Sequence, residues 1–338
     1  MYRKKGKRGL TFFIDGNSCG IIRNWHLCIE NKLMIVYTLL VITLLIAGFS
    51  LRTAWRLGST YSYHRLLLAV ATAAFIYLFG TWVFLSVYMR YAFTVVFVGT
   101  LLFAVLWHAR SPAKASPLIA AANVLCSIVL LTICVLYFTG TTKRPYHTVH
   151  LTLPFKQGTY FVFQGGKGLP TNVFHYKLRG AVYAMDLVKL NGWCNRASRI
   201  FSTRLRDYAI YNDTLYSPCN GRIAHTESAN PDNIPPSRKR GPTNTNHVLI
   251  VSNSFYVFMG HLRPGCVFVQ EGDSVLIGQP IGCCGNSGFS LEPHLHIQAH
   301  INTHTGLPWY KEQPLLIYFD GRTYNLFDEI YAGRQLSR

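Results

Sequence analysis

Residues 259–298 read MGHLRPGCVFVQEGDSVLIGQPIGCCGNSGFSLEPHLHIQ, and this stretch decides the predicted fold of the C-terminal half. Its short apolar segments are separated by Gly-Asp, Gly-Gln and Gly-Asn pairs, which is typical of strands joined by tight turns. Similar short segments begin near Tyr160, and no long helical period of 3.6 follows Thr141. We therefore predict an all-β antiparallel domain after the first 141 residues.

Two histidines, His294 and His296, lie two residues apart near the end of this stretch. Successive strand residues face opposite sides of a sheet, so both imidazoles share one face. This pair alone is a weak signal, but His261 follows a strand and Asp186 ends an alternating segment. Two His nitrogens and one carboxylate oxygen, with a water, form a catalytic zinc shell that keeps an open position.

The order of these motifs resembles the β-sheet core of the lysostaphin-type (LytM) zinc metallopeptidases. The resemblance covers residues 153–298, including VYAMDLV at 182–188, LYSPCNGRIA at 215–224 and Pro-His-Leu-His at 293–296. It implies a zinc endopeptidase that cuts peptide cross-links in bacterial cell-wall peptidoglycan. The cleaved bond is left open, since D-amino-acid cross-links, glycine bridges and protein substrates are all candidates.

The resemblance also implies a role for each matching residue. Asp186 and His296 would bind Zn²⁺, and His261 and His294 would be the catalytic histidines. A zinc-bound water would attack the peptide carbonyl, while the two catalytic histidines handle protons and oxyanion charge.

One position departs from the family pattern, which has a zinc-binding His four residues before the metal Asp. This chain has Val182 there, and valine cannot bind zinc. We interpret residues 172–183 as a hairpin that places His175 opposite Val182, with Cβ atoms about 5 Å apart. Asn172 and His175 also resemble a family subgroup with Asn and His upstream of the metal Asp. We therefore predict His175 as the third ligand, the alternative being an ordinary half-buried strand residue.

The other histidines are predicted to be structural or exposed: His225 and His247 near strand ends, His300 and His304 in a loop, and His147 and His150 in a linker. Cys283 and Cys284 are adjacent on one predicted strand and should face opposite sides. We interpret both as packing residues, with a disulfide or a metal role as the alternative.

The N-terminal half has a different composition, with no Asp or Glu from residue 33 to residue 141. Four apolar runs occur there, and each is long enough for a helix that crosses a hydrocarbon core of about 30 Å. They span residues 33–51, 66–89, 91–109 and 118–139. We predict an N-terminal α-helical transmembrane region of about four helices. A buried soluble bundle is the alternative, and four runs are too many for a cleaved signal peptide.

The predicted organisation has five parts: a basic segment at 1–32, a membrane region at 33–141, a linker at 142–152, the peptidase core at 153–300 and an extension at 301–338. The formal net charge is +19, but we find no nucleic-acid motif and attribute most of the charge to membrane flanks and a solvated surface. Peptidoglycan and membrane lipid are the predicted partners, and protein partners are left open.

The orientation is ambiguous from charge alone. Four crossings place both termini on one side, and the basic residues of segment 1–32 favour the cytoplasm for that side. If translation begins at Met34, the remaining loop charges place the C-terminal domain outside. Because the cytoplasm holds no peptidoglycan network, we predict a multi-pass protein of the bacterial inner (cytoplasmic) membrane with an extracytoplasmic C-terminal domain.

Two other function classes compete with the zinc peptidase. The first is a zinc-impaired LytM-type module that recruits or activates another wall hydrolase; Val182 favours it, and the retained Asp and three His residues oppose it. The second is a swinging-arm carrier domain, because residues 267–282 look like half of a lipoyl or biotinyl barrel. A carrier needs an attachment Lys at a hairpin tip, and no Lys lies between Lys239 and Lys311.

Overall fold

A computed structural model describes residues 25–58, 62–107, 116–143, 146–237, 241–304 and 306–333. The predicted basic segment 1–32 therefore lies mostly outside the described residues. A helical region is followed by a domain of mostly antiparallel strands, so the predicted fold class is confirmed in this coarse form.

In the described part of the helical region, four α-helices follow one another: α1 Trp25–Arg56, α2 Tyr63–Phe79, α3 Val87–Trp107 and α4 Pro117–Thr139. Three segments are long and apolar enough to cross a membrane: Met34–Arg56, Val87–Leu106 and Pro117–Thr139. Helix α2 has 17 residues, at the lower end of the range of about 17–25 for a span. Four crossings therefore stay a prediction.

The predicted apolar run at 66–89 is not one continuous helix. Helix α2 ends before Gly80, and a 3-10 turn at Trp82–Phe84 precedes α3. The Trp82 indole Nε1 donates to the Ile76 carbonyl at 2.9 Å, and a Cβ at position 80 would clash with both groups. Composition could not reveal this break, because the turn is as apolar as the helices beside it.

The helical region and the β domain share one hydrophobic cluster, which we call the seam. It comprises Val83, Phe84, Val87 and Tyr137 of the helical region with Phe161, Val188, Leu190, Leu326 and Phe327 of the β domain. At its border, the Arg90 guanidinium pairs with the Glu329 carboxylate at 2.8 Å, and both side chains are nearly buried. The β domain is therefore seated on the ends of α3 and α4 rather than hanging from a free linker.

Thirteen strands lie in the described residues of the β domain: β1 Thr148–Leu151, β2 Gly158–Gln164, β3 Met185–Lys189, β4 Thr214–Tyr216, β5 Gly221–Glu227, β6 His247–Val251, β7 Phe255–Gly260, β8 Leu262–Val267, β9 Ser274–Val275, β10 Pro280–Cys284, β11 Leu295–Ile301, β12 Pro314–Phe319 and β13 Glu329–Ala332. Ten of them form a sheet with the order β13-β2-β3-β11-β7-β6-β5-β9, in which β12 pairs with β11 and β1. Strands β4, β10 and β8 form a second sheet.

The predicted linker and the predicted extension both contribute to the large sheet. Strand β1 lies within 142–152, while β12 and β13 lie within 301–338. Strands β1 and β12 are parallel, with Val149 opposite Ile317. The domain is therefore mostly, rather than wholly, antiparallel.

Strands β3 and β11 lie side by side in the large sheet, with His296 opposite Asp186. Their alternate residues Leu187, Leu295 and Ile297 are fully buried in the main core, which also includes side chains of the smaller sheet. The intervening residues Asp186 and His296 therefore face the other side of the large sheet, as the predicted alternation required.

The packing interpretation is wrong for Cys283, which forms a disulfide with Cys266. Strands β8 and β10 are antiparallel neighbours, with Val267 opposite Gly282, so strand pairing brings together two cysteines that are 17 residues apart. Cys284 is buried in the core as a free thiol, which confirms the packing interpretation for that residue.

Candidate metal centre and active site

His175, Asp186 and His296 each bring one ligand atom to a common point, and these atoms all lie within 4.8 Å of one another. His175 Nε2 is 3.4 Å from one carboxylate oxygen of Asp186, and His296 Nδ1 is 2.9 Å from the other. Ligand atoms bound tetrahedrally to zinc at about 2.0–2.2 Å are roughly 3.3–3.6 Å apart. The donor types and the 3.4 Å spacing therefore fit Zn²⁺, and the 2.9 Å spacing is that of a hydrogen bond between His296 and Asp186.

The predicted hairpin is wrong, although His175 does join the cluster. Residues Val173–Tyr176 form a single helical turn, α5, so His175 is not a cross-strand neighbour of Val182. The Asn172 amide Nδ2 donates to the carbonyl oxygens of Val182 and Ala184 at 3.0 and 2.9 Å. These bonds tie the helical turn to the segment that leads into Asp186, and they bring the imidazole to the site by a different route.

The same asparagine orients the imidazole of His175. Because the Nδ2 of Asn172 is engaged as a donor, its Oδ1 faces His175 and accepts from Nδ1–H at 2.9 Å. The lone pair of His175 therefore lies on Nε2, the nitrogen that faces Asp186. Histidines that bind metals usually donate their second ring N–H to such an acceptor.

A similar chain of hydrogen bonds orients His296. The His300 Nδ1–H donates to the Glu312 carbonyl at 2.9 Å, so His300 Nε2 accepts from the Gln298 amide at 3.4 Å. The Gln298 Oε1 then accepts from His296 Nε2–H at 3.0 Å. In the neutral ring the lone pair of His296 is therefore on Nδ1, which faces Asp186; in the protonated ring Nδ1–H donates to the Asp186 carboxylate, and a metal would replace that proton.

Gln298 and His300 are site residues that the sequence analysis missed. His300 was predicted to be in a solvated loop, but it lies on β11 and is fully buried. The signal was present in the alternation itself, because residues 296, 298 and 300 of one strand share a face.

The charges of the three clustered residues suit a cation. Burial opposes ionisation of Asp186, yet contacts with His175 and with two other histidines hold its pKa below the usual value. Burial lowers the pKa of His175 to about 4, although Asp186 opposes this shift. Burial also lowers the pKa of His296, but its hydrogen bond to Asp186 outweighs that effect and the net shift is upward. An ionised carboxylate beside a neutral imidazole is the state that binds a divalent metal.

His261 and His294 lie beside this cluster, with ring centroids 4.6 Å apart. His261 Nδ1–H donates to the Ser287 carbonyl at 2.7 Å, and His294 Nδ1–H donates to the Glu292 carbonyl at 2.8 Å. In the neutral tautomer each ring therefore has its lone pair on Nε2, and the Nε2 of His294 is 3.6 Å from a carboxylate oxygen of Asp186. The structure thus brings together all five residues predicted for the site.

Two further features set His261 apart. Burial, followed by the nearby His294 and His296, holds the pKa of His261 well below its usual value, so its imidazole is neutral. Its backbone φ of 66° is left-handed, a conformation that is unfavourable for a non-glycine residue and that clusters at functional sites.

His225 and His247 contact each other rather than the cluster, with a ring nitrogen separation of 2.9 Å. Phe258 lies between His247 and His296, with its centroid 5.0 Å from the former and 6.1 Å from the latter. Among the described residues, the metal-ligand cluster contains neither of these two histidines.

Residues 207–308 match the model of Peptidase family M23. This range contains His261, His294 and His296, while His175 and Asp186 precede it. No curated protein matches the chain.

Several solved structures are similar in part. A zinc containing peptidase from Vibrio cholerae has 15% identity, a TM-score of 0.26, and coverage of 51% of this chain and 39% of that chain. The antimicrobial peptidase lysostaphin from Staphylococcus simulans has 19% identity, a TM-score of 0.27, and coverage of 51% and 52%. The catalytic domain A109H mutant of the prophage-encoded M23 protein EnpA from Enterococcus faecalis has 16% identity, a TM-score of 0.26, and coverage of 53% and 93%.

The chain thus spans about two fifths and one half of the length of the first two structures. At these identities and TM-scores the neighbours carry no argument about activity, whereas the family model matches residues of the β domain itself. That match confirms the predicted resemblance of the C-terminal β domain to the lysostaphin-type peptidases of family M23.

Proposed function

We propose that this chain is a membrane-anchored zinc metalloendopeptidase that hydrolyses peptide bonds in bacterial cell-wall peptidoglycan. The observation that carries the proposal is the convergence of His175, Asp186 and His296 within 4.8 Å. Three protein ligands leave one position for water or substrate, as in catalytic rather than structural zinc sites.

Each residue of the site has a distinct proposed task. His175 Nε2, one carboxylate oxygen of Asp186 and His296 Nδ1 would hold the metal. When bound, the metal would polarise the substrate carbonyl and lower the pKa of its water. His261 and His294 each offer an unprotonated Nε2 that can take a proton and return it to the leaving amine, or donate a hydrogen bond to the oxyanion once protonated.

The position of His175 weakens the main argument for the competing binding-module hypothesis. It depended on Val182, which leaves the family position without a ligand. The helical turn held by Asn172 supplies the imidazole of His175 in its place. Because a full donor set is available, we favour the enzyme.

We also propose that the β domain lies outside the cytoplasm. The disulfide between Cys266 and Cys283 is a bond that persists in oxidising compartments.

Fusions on the two sides of the bundle are expected to report opposite compartments. A periplasm-active reporter fused after Arg338 should be active, and a cytoplasm-only reporter at the same place should be silent. The matched control is the same pair of reporters fused after Gly58, in the connection between α1 and α2, where the pattern should reverse. Activity of the cytoplasmic reporter after Arg338 would contradict the wall-peptidase proposal, since that compartment has no peptidoglycan network.

Purified full-length protein is expected to contain about one zinc per chain and to cleave peptidoglycan. A chelator should abolish cleavage, and added zinc should restore it, because the ligand set holds the metal that the reaction needs. Metal content by mass spectrometry and release of soluble peptide fragments measure the two properties. The His304→Ala variant, altered outside the cluster, is the control and should match the wild type. Full cleavage after complete metal removal would contradict the proposal, whereas zinc-free and inactive protein would favour the binding module.

A further inference from the structure

Phe84 of the helical region is linked to the active site through two side chains of the β domain, Arg196 and Glu292. We call these three side chains the clamp. We propose that the clamp positions His294, so that the helical region is required for efficient catalysis and does more than anchor the β domain. This inference rests on the proposed peptidase function. Its first member belongs to the 3-10 turn between α2 and α3, and its last lies two residues before His294.

Arg196 is the centre of the clamp and is only 1% exposed. Its Nε and one terminal nitrogen bond the two carboxylate oxygens of Glu292 at 2.7 and 2.9 Å. The terminal nitrogen also donates to the Ile200 carbonyl at 3.0 Å. A buried ion pair persists only when its hydrogen bonds are satisfied, and a two-pronged pair of this kind fixes the relative orientation of both groups. Glu292 is therefore held in one place.

Phe84 supplies the contact from the helical region. The centre of the Arg196 guanidinium lies 4.1 Å from the Phe84 ring centroid, nearer than it lies to Phe201 at 5.7 Å or Tyr208 at 5.8 Å. This is well within the range of about 6 Å for a cation–π interaction, which is stronger where water is excluded. Phe84 is itself buried in the seam. The seating of the β domain on the helices thus determines what packs against Arg196.

The main-chain carbonyl of Glu292 fixes the position of the His294 imidazole. The Glu292 carbonyl accepts from His294 Nδ1–H at 2.8 Å, and the Ser290 hydroxyl lies 2.9 Å from the same oxygen. This bond sets the direction of the imidazole, and so the position of its Nε2. Misplacing a catalytic group by about 1 Å can cost roughly 100-fold in rate.

The three metal-ligand residues are held by other contacts. His296 is fixed by strand pairing to Asp186 and Gly260, and His175 is fixed by Asn172. Loosening the clamp should therefore disturb the proton-transfer residue while leaving the ligand set in place. A purely structural role would instead lower protein yield or zinc content together with activity.

Two substitutions in the full-length protein test the clamp. Phe84→Leu keeps an apolar side chain but removes the ring face, and Arg196→Lys keeps the charge but loses the two-pronged bond. Each is expected to lower kcat on soluble cross-linked peptidoglycan fragments by about 10–100-fold, up to the loss that a displacement of a catalytic group by about 1 Å can cause. KM and zinc per chain should stay unchanged. The control is Phe161→Leu, the same change in the same seam at a ring that stacks on Phe327, and it should keep the wild-type kcat.

Hydrogen exchange of backbone amides in residues 289–296 gives a second readout that does not need activity. Exchange should be faster in Phe84→Leu and Arg196→Lys than in Phe161→Leu. Unchanged exchange in the first two variants would overturn the clamp whether or not the wild type is active, and faster exchange with unchanged kcat would overturn its catalytic role. A wild type that binds zinc but cuts no peptidoglycan would instead overturn the proposed function on which the catalytic part rests.

Discussion

The His175→Ala variant is expected to lose most of its zinc affinity and all detectable peptidoglycan cleavage. This substitution removes one of three protein ligands, which should cost far more than the roughly 10–100-fold loss typical of a residue that only supports a ligand. Competition with a metal-binding dye would measure the affinity, and release of soluble peptides would measure cleavage. The effect should be as large as that of His296→Ala or Asp186→Ala, because all three residues belong to one cluster.

Two further variants serve as comparisons for the zinc affinity of His175→Ala. Asn172→Ala removes the acceptor of the His175 Nδ1–H but leaves the ligand in the chain, so its loss of affinity should be smaller. His225→Ala alters an imidazole outside the cluster and should bind zinc normally. Normal zinc binding by His175→Ala would mean that the site uses another third ligand. His294, whose Nε2 is 3.6 Å from Asp186, would then be the residue to test.

The predicted part of the site follows from strand alternation. His294 and His296 were expected to share one strand face, and the family resemblance added Asp186 to the same site. Asp186 and His296 are directly opposite each other on β3 and β11. The identity of His175 was also predicted, but its local structure was not. Residues 172–183 have the turn residues of a hairpin, yet the side chain of Asn172 bonds main-chain carbonyls ten and twelve residues ahead and favours a compact turn instead. Asparagine side chains compete with strand pairing in this way.

Contacts between distant segments could not be predicted from a single sequence. Phe84 and Arg196 are separated by more than a hundred residues, and neither lies in a motif. The turn at Trp82–Phe84 is as apolar as the helices beside it, so hydropathy does not distinguish the turn from a helix. Hydropathy also does not show that this turn packs into the seam. Pairing of β8 with β10 likewise brings Cys266 and Cys283 together in a disulfide. The two cysteines are 17 residues apart in the sequence, a spacing that does not predict the bond.

The His294→Ala variant is expected to keep its zinc and to lose activity by about 100-fold or more, since general acid–base catalysis contributes roughly 10²–10⁴-fold. The reason is geometric: its Nδ1–H is engaged by the Glu292 carbonyl, and the free Nε2 faces the cluster without belonging to it. The same result is expected for His261→Ala, whose Nδ1–H is engaged by Ser287.

Zinc content and cleavage must be measured on the same samples of these two variants. Three protein ligands already satisfy a catalytic zinc shell, so removing a neighbouring imidazole should leave the metal in place. Loss of metal from His294→Ala would make this residue a ligand rather than a proton carrier, and the 3.6 Å separation from Asp186 would then belong to the coordination shell. Retained zinc with undiminished cleavage would instead assign the proton transfer to His261 alone. The third result, full zinc with cleavage reduced in both variants, is the one that two anchored imidazoles with free Nε2 atoms support, because each can act on the substrate only as an acid, a base or a hydrogen-bond donor.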